Sequence, residues 1–458
     1  MSRNVSPLTS PSAPDSAASA TGQLVLGTGA WYGDRHIHLR LPSTWNVEQL
    51  EPCLGAPLTD DQIAAQLESP VGQPPIRELC RGKRSPVVLV DDLNRPTPVS
   101  RVLPHVLRHF RDGGIDVANV VIVIATGTHG PSPEHALIRK VGASVASSCR
   151  VHVHDCERNV VRMGRTSFGT PVLVDHYVAR GDLIIGIGGL YPNHTAGFGG
   201  GSKLALGVLG HASIAGLHYG HEPVGWGTLD PHSTFRADLD EVAEMIGLRT
   251  SITAVVNGDR EIVGMRCGDP SAYYAELAQA TAEQFRAPAP AADTDLVISN
   301  AYPSDTSLTF VRMKGIVPLT LAPPNASRVV IAACSEGLGF HGLTPFLNAP
   351  PLHRWRKAFL RGSALLRRPR VLQRKVRARV EGVVRAKRHG AAPVVRKPIW
   401  MFRPSERDAL PLPDLDGGMR VSQEWEEVLA AVTTEQGGRD ALNVMVYRCA
   451  PLQWVQRD

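Results

Sequence analysis

The sequence has little of what marks a membrane protein, a secreted protein or a protein that stacks nucleic-acid bases. Aromatic residues make up only 5% of the 458 residues, which leaves few platforms for base stacking. No uninterrupted run of about 18 apolar residues exists, so a membrane-spanning helix is excluded. Residues 1–22 are rich in Ser, Ala and Pro and lack the apolar segment of a secretion signal. We interpret them as a disordered tail.

The sequence also lacks the paired cysteine spacing of a disulfide-linked or zinc-binding protein. The seven cysteines are scattered and odd in number, and none forms a CxxC pair, which disfavours a disulfide scaffold or a structural zinc site. A reducing, cytoplasmic location fits this usage best. The residues are Cys53, Cys80, Cys149, Cys156, Cys267, Cys334 and Cys449.

Charge is distributed unevenly. Residues 354–397 hold 16 Lys and Arg against a single acid, Glu381, and therefore carry +15, so the rest of the chain sums to −9. The segment has apolar residues at roughly helical spacing, which favours a solvated helical insertion with one packed face. A patch for an anionic membrane or an acidic partner is the alternative. No nucleic-acid motif is present, so we expect no nucleic-acid partner.

Short apolar, β-branched runs alternate with helical patterns along the chain. This alternation predicts an α/β fold built on parallel strands. A linker-like stretch around Ala287 predicts that the chain forms two domains, residues 23–287 and residues 288–458. The second domain would carry the basic insertion 354–397. The clearest strand predictions are residues 86–90, 118–125, 183–187, 296–299 and 328–333, and the clearest helix predictions are residues 102–112 and 270–285.

Polar or glycine-rich turns follow six of the predicted strands. Ligands of open α/β sheets bind beyond the carboxyl ends of the strands, so this arrangement indicates an enzyme cleft.

Residues 196–203 are glycine-rich and end in Lys203. The backbone of this segment offers amide donors, and Lys203 offers an ammonium or a nucleophilic amine; a flexible loop with a solvated lysine is the alternative. Asp92 and Arg95 follow one predicted strand. Arg95 could bind a carboxylate through two hydrogen bonds, and a structural salt bridge within the turn is the alternative. His129 suits acid/base or metal chemistry, and His218 lies in a histidine-rich stretch.

Together these motifs resemble the nickel-dependent lactate racemase family. The resemblance is carried by DDLNRPTP, ATGTHGPSP, HVHDC, IGIGGLYPNHTAGFGGGSKLALGVLG and NAYPSD, between about residues 32 and 305, and continues weakly towards Gly339. It implies two α/β domains with the active site in the cleft between them. It also implies a nickel-pincer nucleotide cofactor, in which nickel is held by two sulfurs and a carbon of a pyridinium mononucleotide (nickel with pyridinium-3,5-bisthiocarboxylic acid mononucleotide) and by one histidine.

The resemblance assigns roles to individual residues. Lys203 would carry the pincer through a thioamide, and His218 would ligate nickel. Asp92 and Arg95 would organise the metal histidine and the substrate, and His129 would be one of two acid/base histidines. Further residues would face the cofactor (Thr126, Gly127, Gly197, Gly199, Gly200 and Gly201) or the substrate (Arg95, Tyr302 and Lys314).

The implied reaction is racemisation or epimerisation of a 2-hydroxy acid by reversible hydride transfer. One histidine on each face would take the hydroxyl proton, and cations would hold the carboxylate. Ungapped counting from Lys203 places the second histidine at Asn193, so either His194 serves after a one-residue shift or Asn193 replaces the base. The family's Gln-x-x-Lys reads Val311 to Lys314, without the Gln, and Asn94 replaces a Thr. We therefore expect a larger or more acidic substrate than lactate, or a sugar acid, at least as readily as lactate.

Two other functions remain open. A one-sided redox or isomerisation reaction on the same cofactor is motivated by Asn193 and the missing Gln. A non-catalytic anion-binding protein would instead use the basic segment. The expected partners are a small 2-hydroxy acid and the enzymes that make the cofactor.

Overall fold

The computed structural model describes residues 22–52, 54–343, 396–404, 409–412 and 418–456. The expected disordered tail, up to residue 21, and residues 354–395 of the basic segment lie outside these ranges. Both predictions therefore stay predictions.

The strands of the described residues are short and mostly buried. In chain order they are β1 (Gln23–Thr28), β2 (Arg35–Arg40), β3 (Asn46–Leu50), β4 (Pro86–Asp91), β5 (Val121–Ala125), β6 (Arg150–Val153), β7 (Val160–Arg165), β8 (Pro171–Asp175), β9 (Leu183–Leu190), β10 (Pro192–Asn193), β11 (Gly197–Phe198), β12 (Leu248–Val256), β13 (Ile262–Gly268), β14 (Arg286–Pro288), β15 (Leu296–Asn300), β16 (Ser327–Ile331), β17 (Ile399–Phe402), β18 (Met419–Ser422), β19 (Asn443–Tyr447) and β20 (Trp454–Gln456).

The helices alternate with these strands. They are α1 (Asp60–Glu68), α2 (Ile76–Leu79), α3 (Leu103–Asp112), α4 (Glu134–Val141), α5 (Ala143–Ser148), α6 (His176–Arg180), α7 (His211–Gly220), α8 (Thr234–Met245), α9 (Pro270–Thr281), α10 (Leu308–Phe310), α11 (Val317–Leu321) and α12 (Trp425–Glu435). Short 3₁₀ turns span Val99–Arg101, Val117–Asn119, Gly201–Val208, Ala282–Phe285 and Ala450–Leu452, and a π turn spans Val311–Gly315. None of the helices in the described ranges is long and apolar enough to cross a bilayer.

The first sheet has six strands in the order β13-β12-β9-β4-β5-β6, and only β13 runs antiparallel to its neighbour. Every residue of β4 and β9 is buried, which explains why both read as continuous apolar runs without alternation. The carboxyl ends of β4, β5 and β9 meet at one edge of this sheet. That edge carries the polar turns singled out in the sequence.

The second sheet is fully parallel, in the order β18-β17-β16-β15-β19-β3. The expected α/β class is therefore confirmed. The predicted strands and helices match the observed ones, mostly to within a few residues: the predicted strand 118–125 is observed as β5, preceded by the turn Val117–Asn119, and the predicted helix 270–285 is α9 followed by a 3₁₀ turn.

The amino-terminal strands lie with the second sheet, although we expected residues 23–287 to form the first domain. Strand β3 pairs with β19, and Leu24, Leu26 and Trp45 share a buried cluster with β15, β16 and α12. Sequence adjacency could not show this, because parallel pairing joins segments about 400 residues apart. The boundary near Ala287 is otherwise a proposal.

The carboxyl terminus packs back onto the first sheet's core. Cys449 and Leu452 are buried in that core and Trp454 packs against it. Strand β20 pairs with β14, and the Trp454 indole donates to Ala282 O at 3.0 Å. Residues 24–45 and residues 449–454 therefore pack against residues that are far away in sequence.

We predict that a chain truncated after Pro288 will not fold cooperatively. It would leave β3 without the sheet it pairs with, would remove the core against which β1 and β2 pack, and would remove the residues from Cys449 to Trp454 from the first core. Urea unfolding followed by circular dichroism checks this, with the full chain as the control. A truncated chain with a single sharp transition would contradict the prediction.

Candidate active site

A cavity of about 580 Å³ lies at the carboxyl edge of the first sheet. Its walls come from the turns after β4, β5 and β9, from α7, and from a segment of the second sheet's half that includes Phe310, Lys314 and His341. The cavity brings together these residues named from the sequence: Asp92, Arg95, Thr126, Gly127, His129, His194, Gly199, Gly200, Gly201, Lys203, His218 and Lys314.

Two adjacent carboxyl groups lie at the carboxyl end of β4: Asp91 is its last residue and Asp92 follows it. Each has its own partner. Lys140, with a fully buried side chain, lies 2.7 Å from Asp91 Oδ1. Its ammonium also donates to the carbonyl oxygens of Arg95 and Thr97, at 3.1 and 2.9 Å, so three acceptors surround its three N–H groups. Thr97 Oγ1 donates to the other Asp91 oxygen at 2.6 Å. This ion pair fixes the path of the turn that carries Asp92 and Arg95.

Asp92 orients His129. The His129 Nδ1 lies 2.6 Å from Asp92 Oδ2, and since a carboxylate only accepts, Nδ1 carries the proton and Nε2 is left as a base. Burial would raise the pKa of Asp92, but His129 and Arg95 outweigh burial and hold that pKa well below its usual range. Burial lowers the pKa of His129, which outweighs the attraction of Asp92. The pair is thus an ionised carboxylate and a neutral imidazole, the state a general base needs.

Arg95 and Asn94 extend this arrangement across the cavity. Burial would lower the pKa of Arg95, but Tyr191, which shares a hydrogen bond with it, and the two carboxylates raise it, so the guanidinium stays charged. Asn94 donates to Asp92 Oδ2 at 2.7 Å and accepts from Thr306 Oγ1 at 2.8 Å. The amide of Asn94 therefore links the β4 turn to the second sheet's loop.

The glycine-rich loop presents Lys203 to the cavity. Arg236 of α8 donates to Phe198 O at 2.8 Å, and Gly201 N donates to Thr253 Oγ1 at 3.1 Å. Gly200 has a φ of +81°, and a Cβ there would lie 2.6 Å from the Thr253 methyl group, so this position requires glycine. Burial, helped by the positive charges of Arg95 and Arg236, lowers the pKa of Lys203 to about 7.

His218 faces the cavity from α7 in one defined tautomer. Its Nδ1 lies 2.9 Å from Ile214 O, one helical turn earlier. A carbonyl only accepts, so Nδ1 donates and the Nε2 lone pair is available to a metal. Burial lowers the pKa of His218 to about 4, so the ring is neutral and competent as a ligand at neutral pH.

Asn193 and His194 differ in what their side chains do. Asn193 Oδ1 accepts from the backbone N–H groups of Thr195 and Ala196, at 3.1 and 3.0 Å. His194 is exposed at the rim of the cavity, its ring 6.4 Å from that of Trp226. The Asn193 amide is thus committed to the turn, whereas the His194 ring is available.

His341 was not singled out in the sequence, yet it lines the cavity. Its ring centroid lies 5.1 Å from that of His129 and 6.2 Å from that of Phe310. Leu343 N donates to its Nδ1 at 3.3 Å. No local motif marks His341, because it reaches the cavity only when the second sheet's loop folds over His129.

Two predicted site residues lie elsewhere. Tyr302 lines a smaller pocket instead of the cavity, and its hydroxyl donates to Asp34 Oδ1 at 2.9 Å, so its polar group is engaged outside the cavity. Gly197 is also not part of the cavity wall. A Cβ on Gly197 would lie 1.9 Å from Thr228 O, so its requirement for glycine is explained by backbone packing.

We predict that Lys203 reacts with acylating reagents with a midpoint near pH 7. Its unprotonated amine forms as the pH rises through its pKa, so reactivity increases with pH and reaches half its maximum about three pH units below that of an ordinary lysine. Pulse labelling of the cofactor-free chain with acetic anhydride, quantified by peptide mass spectrometry, measures this. The exposed Lys83 provides the internal reference. Identical pH profiles for the two peptides would contradict the prediction.

The comparisons with known proteins agree on one family. The model of the lactate racemase N-terminal domain matches residues 32–224. The lactate racemase of Lactiplantibacillus plantarum is 26% identical over 289 residues, which cover 62% of this chain and 68% of that protein. The lactate racemase of Thermoanaerobacterium thermosaccharolyticum is 25% identical over 290 residues, with the same coverage.

Solved structures share the fold. The lactate racemase apoprotein of Thermoanaerobacterium thermosaccharolyticum superimposes with a TM-score of 0.63 at 19% identity, covering 94% of this chain and all of that one. A structural-genomics protein from Thermotoga maritima superimposes with a TM-score of 0.52 at 15% identity, covering 88% of this chain and all of that one. The resemblance stated from the motifs is therefore confirmed: residues 32–224 match the model of the lactate racemase N-terminal domain, and the chain is similar to two lactate racemases over about 290 residues.

Proposed function

We propose that the chain is an isomerase that racemises or epimerises a 2-hydroxy acid with a nickel-pincer nucleotide. The observation that carries the proposal is the convergence of Lys203, His218, His129 and Arg95 on one cavity. Two relatives that are named lactate racemase support the racemase class.

The residues present fit this cofactor. Lys203 has an amine whose pKa of about 7 suits covalent attachment. His218 offers a neutral Nε2 as the protein ligand to nickel, and imidazole suits this metal. The glycines from Gly199 to Gly201 line the cavity beside Lys203, and their lack of a side chain is explained by neighbouring protein atoms, which a Cβ at each position would meet at 2.6–2.9 Å. When bound, the cofactor would supply a reversible hydride acceptor.

The protein's own groups handle the proton and the carboxylate. His129 Nε2 would take the proton of the substrate hydroxyl, while Asp92 keeps the ring in the required tautomer. Arg95 and Lys314 would hold the carboxylate so that only the reacting carbon inverts. Burial lowers the pKa of Lys314 well below its usual range, and a bound carboxylate would restore its charge.

The cavity favours an anionic substrate. Lys140 is paired with Asp91, which leaves the guanidinium of Arg95 and the amines of Lys203 and Lys314 facing the single carboxylate of Asp92 in the cavity. After attachment of the cofactor to Lys203, Arg95 and Lys314 remain for an anionic substrate, whose carboxylate would favour the charged form of Lys314. This supports a larger or more acidic 2-hydroxy acid, or a sugar acid, as much as it supports lactate.

A one-sided reaction on the same cofactor is the second candidate. The observation that favours it is the Asn193 amide, which is held by the backbone and cannot carry protons. In that case His129 alone would exchange the proton of the substrate hydroxyl.

We further propose that the reaction takes place in the cytoplasm, where the cofactor-forming enzymes would load the chain. No disulfide links the six cysteines within the described ranges to one another, which suits such a compartment.

We predict that co-expression with pincer-forming enzymes yields near-stoichiometric nickel and an added mass on the Lys203 peptide. Inductively coupled plasma mass spectrometry and intact mass measure the two. Lys203→Ala should abolish the adduct, and His218→Ala should keep the adduct but lose nickel, because the two residues have separate tasks. Polarimetry on a set of 2-hydroxy acids then identifies the substrate. Folded protein without nickel and without adduct would falsify the proposal.

We predict different effects for the cavity histidines on the loaded enzyme. His129→Ala should lower the rate by about 10²–10⁴-fold, the usual contribution of a general base. His194→Ala should block racemisation while one enantiomer is still converted to the 2-oxo acid. Asn193→Ala is the matched control and should retain racemisation. If His194→Ala leaves racemisation intact, the assignment of His194 is wrong, and His341→Ala becomes the deciding variant.

A further inference from the structure

A second group of metal-ligating side chains lies outside the cavity. His152 lies on β6, Asp175 ends β8, and His176 begins α6. One ligand atom from each lies within 4.8 Å of the others. None of the three lines the cavity, so the proposed racemase function does not use them.

The spacing of these atoms matches that of a metal site. His152 Nε2 lies 2.9 Å from Asp175 Oδ2, and His176 Nδ1 lies 3.8 Å from Asp175 Oδ1. Ligand atoms around a tetrahedral zinc ion with bonds near 2.0–2.1 Å are separated by roughly 3.3 Å. Small side-chain adjustments would therefore bring the three atoms into the coordination sphere.

Asp175 is held in place before any ion arrives. His154, whose side chain is fully buried, lies 3.0 Å from Asp175 Oδ2. The backbone N–H of Tyr177 donates to Asp175 Oδ1 at 2.9 Å. A carboxylate fixed by outer hydrogen bonds is a feature of metal sites.

His176 has a ring nitrogen without a partner. Its Nδ1 is buried and makes no hydrogen bond within the described residues. A buried polar atom left unpaired costs free energy, so native proteins rarely retain one without a ligand or other compensation. This nitrogen points to a missing ligand at the cluster.

We propose that His152, Asp175 and His176 bind one Zn²⁺ ion, with water completing the coordination. Two imidazoles and a carboxylate are ligands that zinc accepts. The ion would tie the edge strand β6 to the β8–α6 connection. His154 would act as a positioning residue for Asp175, which gives a physical reason for two histidines in the HVHDC segment.

The test uses the full chain, purified without the cofactor and stripped of metal. Zn²⁺ is titrated against a chromophoric chelator, and bound zinc is counted by mass spectrometry. A His218→Ala background removes the histidine that is proposed to bind the metal of the racemase cavity. His176→Ala is the main variant, because the Nδ1 of His176 makes no hydrogen bond within the described residues whose loss would destabilise the fold. His36→Ala is the matched control, since His36 also lies beside an aspartate, at 3.2 Å, but is exposed.

The expected result is one zinc equivalent that His176→Ala and His152→Ala each weaken at least tenfold, while His36→Ala leaves it unchanged. Zinc should also raise the unfolding temperature of the parent chain and not that of His176→Ala. Equal stoichiometry and affinity in the parent chain and in a folded His176→Ala would overturn the proposal. Nickel loading and racemisation do not enter these measurements, so the two proposals can fail separately.

Discussion

The architecture of the cavity depends on how the chain accommodates two neighbouring carboxyl groups, Asp91 and Asp92, at the buried carboxyl end of β4. Like charges so close repel, and burial increases that repulsion. The chain resolves this by giving Asp91 the buried ammonium of Lys140 and giving Asp92 the ring of His129. Removing one partner from such a buried pair typically costs about 3–5 kcal/mol. Asp91 therefore holds the turn in position, and Asp92 is left to set the tautomer and orientation of a base.

The same burial sets the chemistry of the cations. In water, Lys203 would be protonated and unreactive at neutral pH, whereas inside the cavity its pKa falls to about 7. Desolvation also keeps His218 neutral, and the Ile214 carbonyl determines which of its nitrogens can bind a metal. An amine able to form a covalent bond and an imidazole able to bind a metal thus arise from one low-dielectric environment. Asn94, through Thr306, connects this environment to the second sheet.

Much of the first sheet and its site could be predicted from the sequence, because local signals specify them. Buried parallel strands are continuous apolar runs, and the functional turns follow directly after β4, β5 and β9. Non-local packing could not be predicted. Strand β3 joins the second sheet by pairing with β19, His341 reaches the cavity from the second sheet's half, and Tyr302 turns to Asp34 instead. Arg236, which holds the glycine-rich loop, looks like any surface arginine of an amphipathic helix.

We propose that His218 and Lys203 serve one cofactor, as metal ligand and covalent attachment point. Nickel K-edge X-ray absorption on the loaded chain would measure the donor atoms around the metal. We expect sulfur donors together with one imidazole nitrogen, and loss of the imidazole contribution in any nickel that His218→Ala retains. A nickel environment without sulfur, or one that keeps its imidazole in His218→Ala, would show that His218 does not bind the metal of such a cofactor.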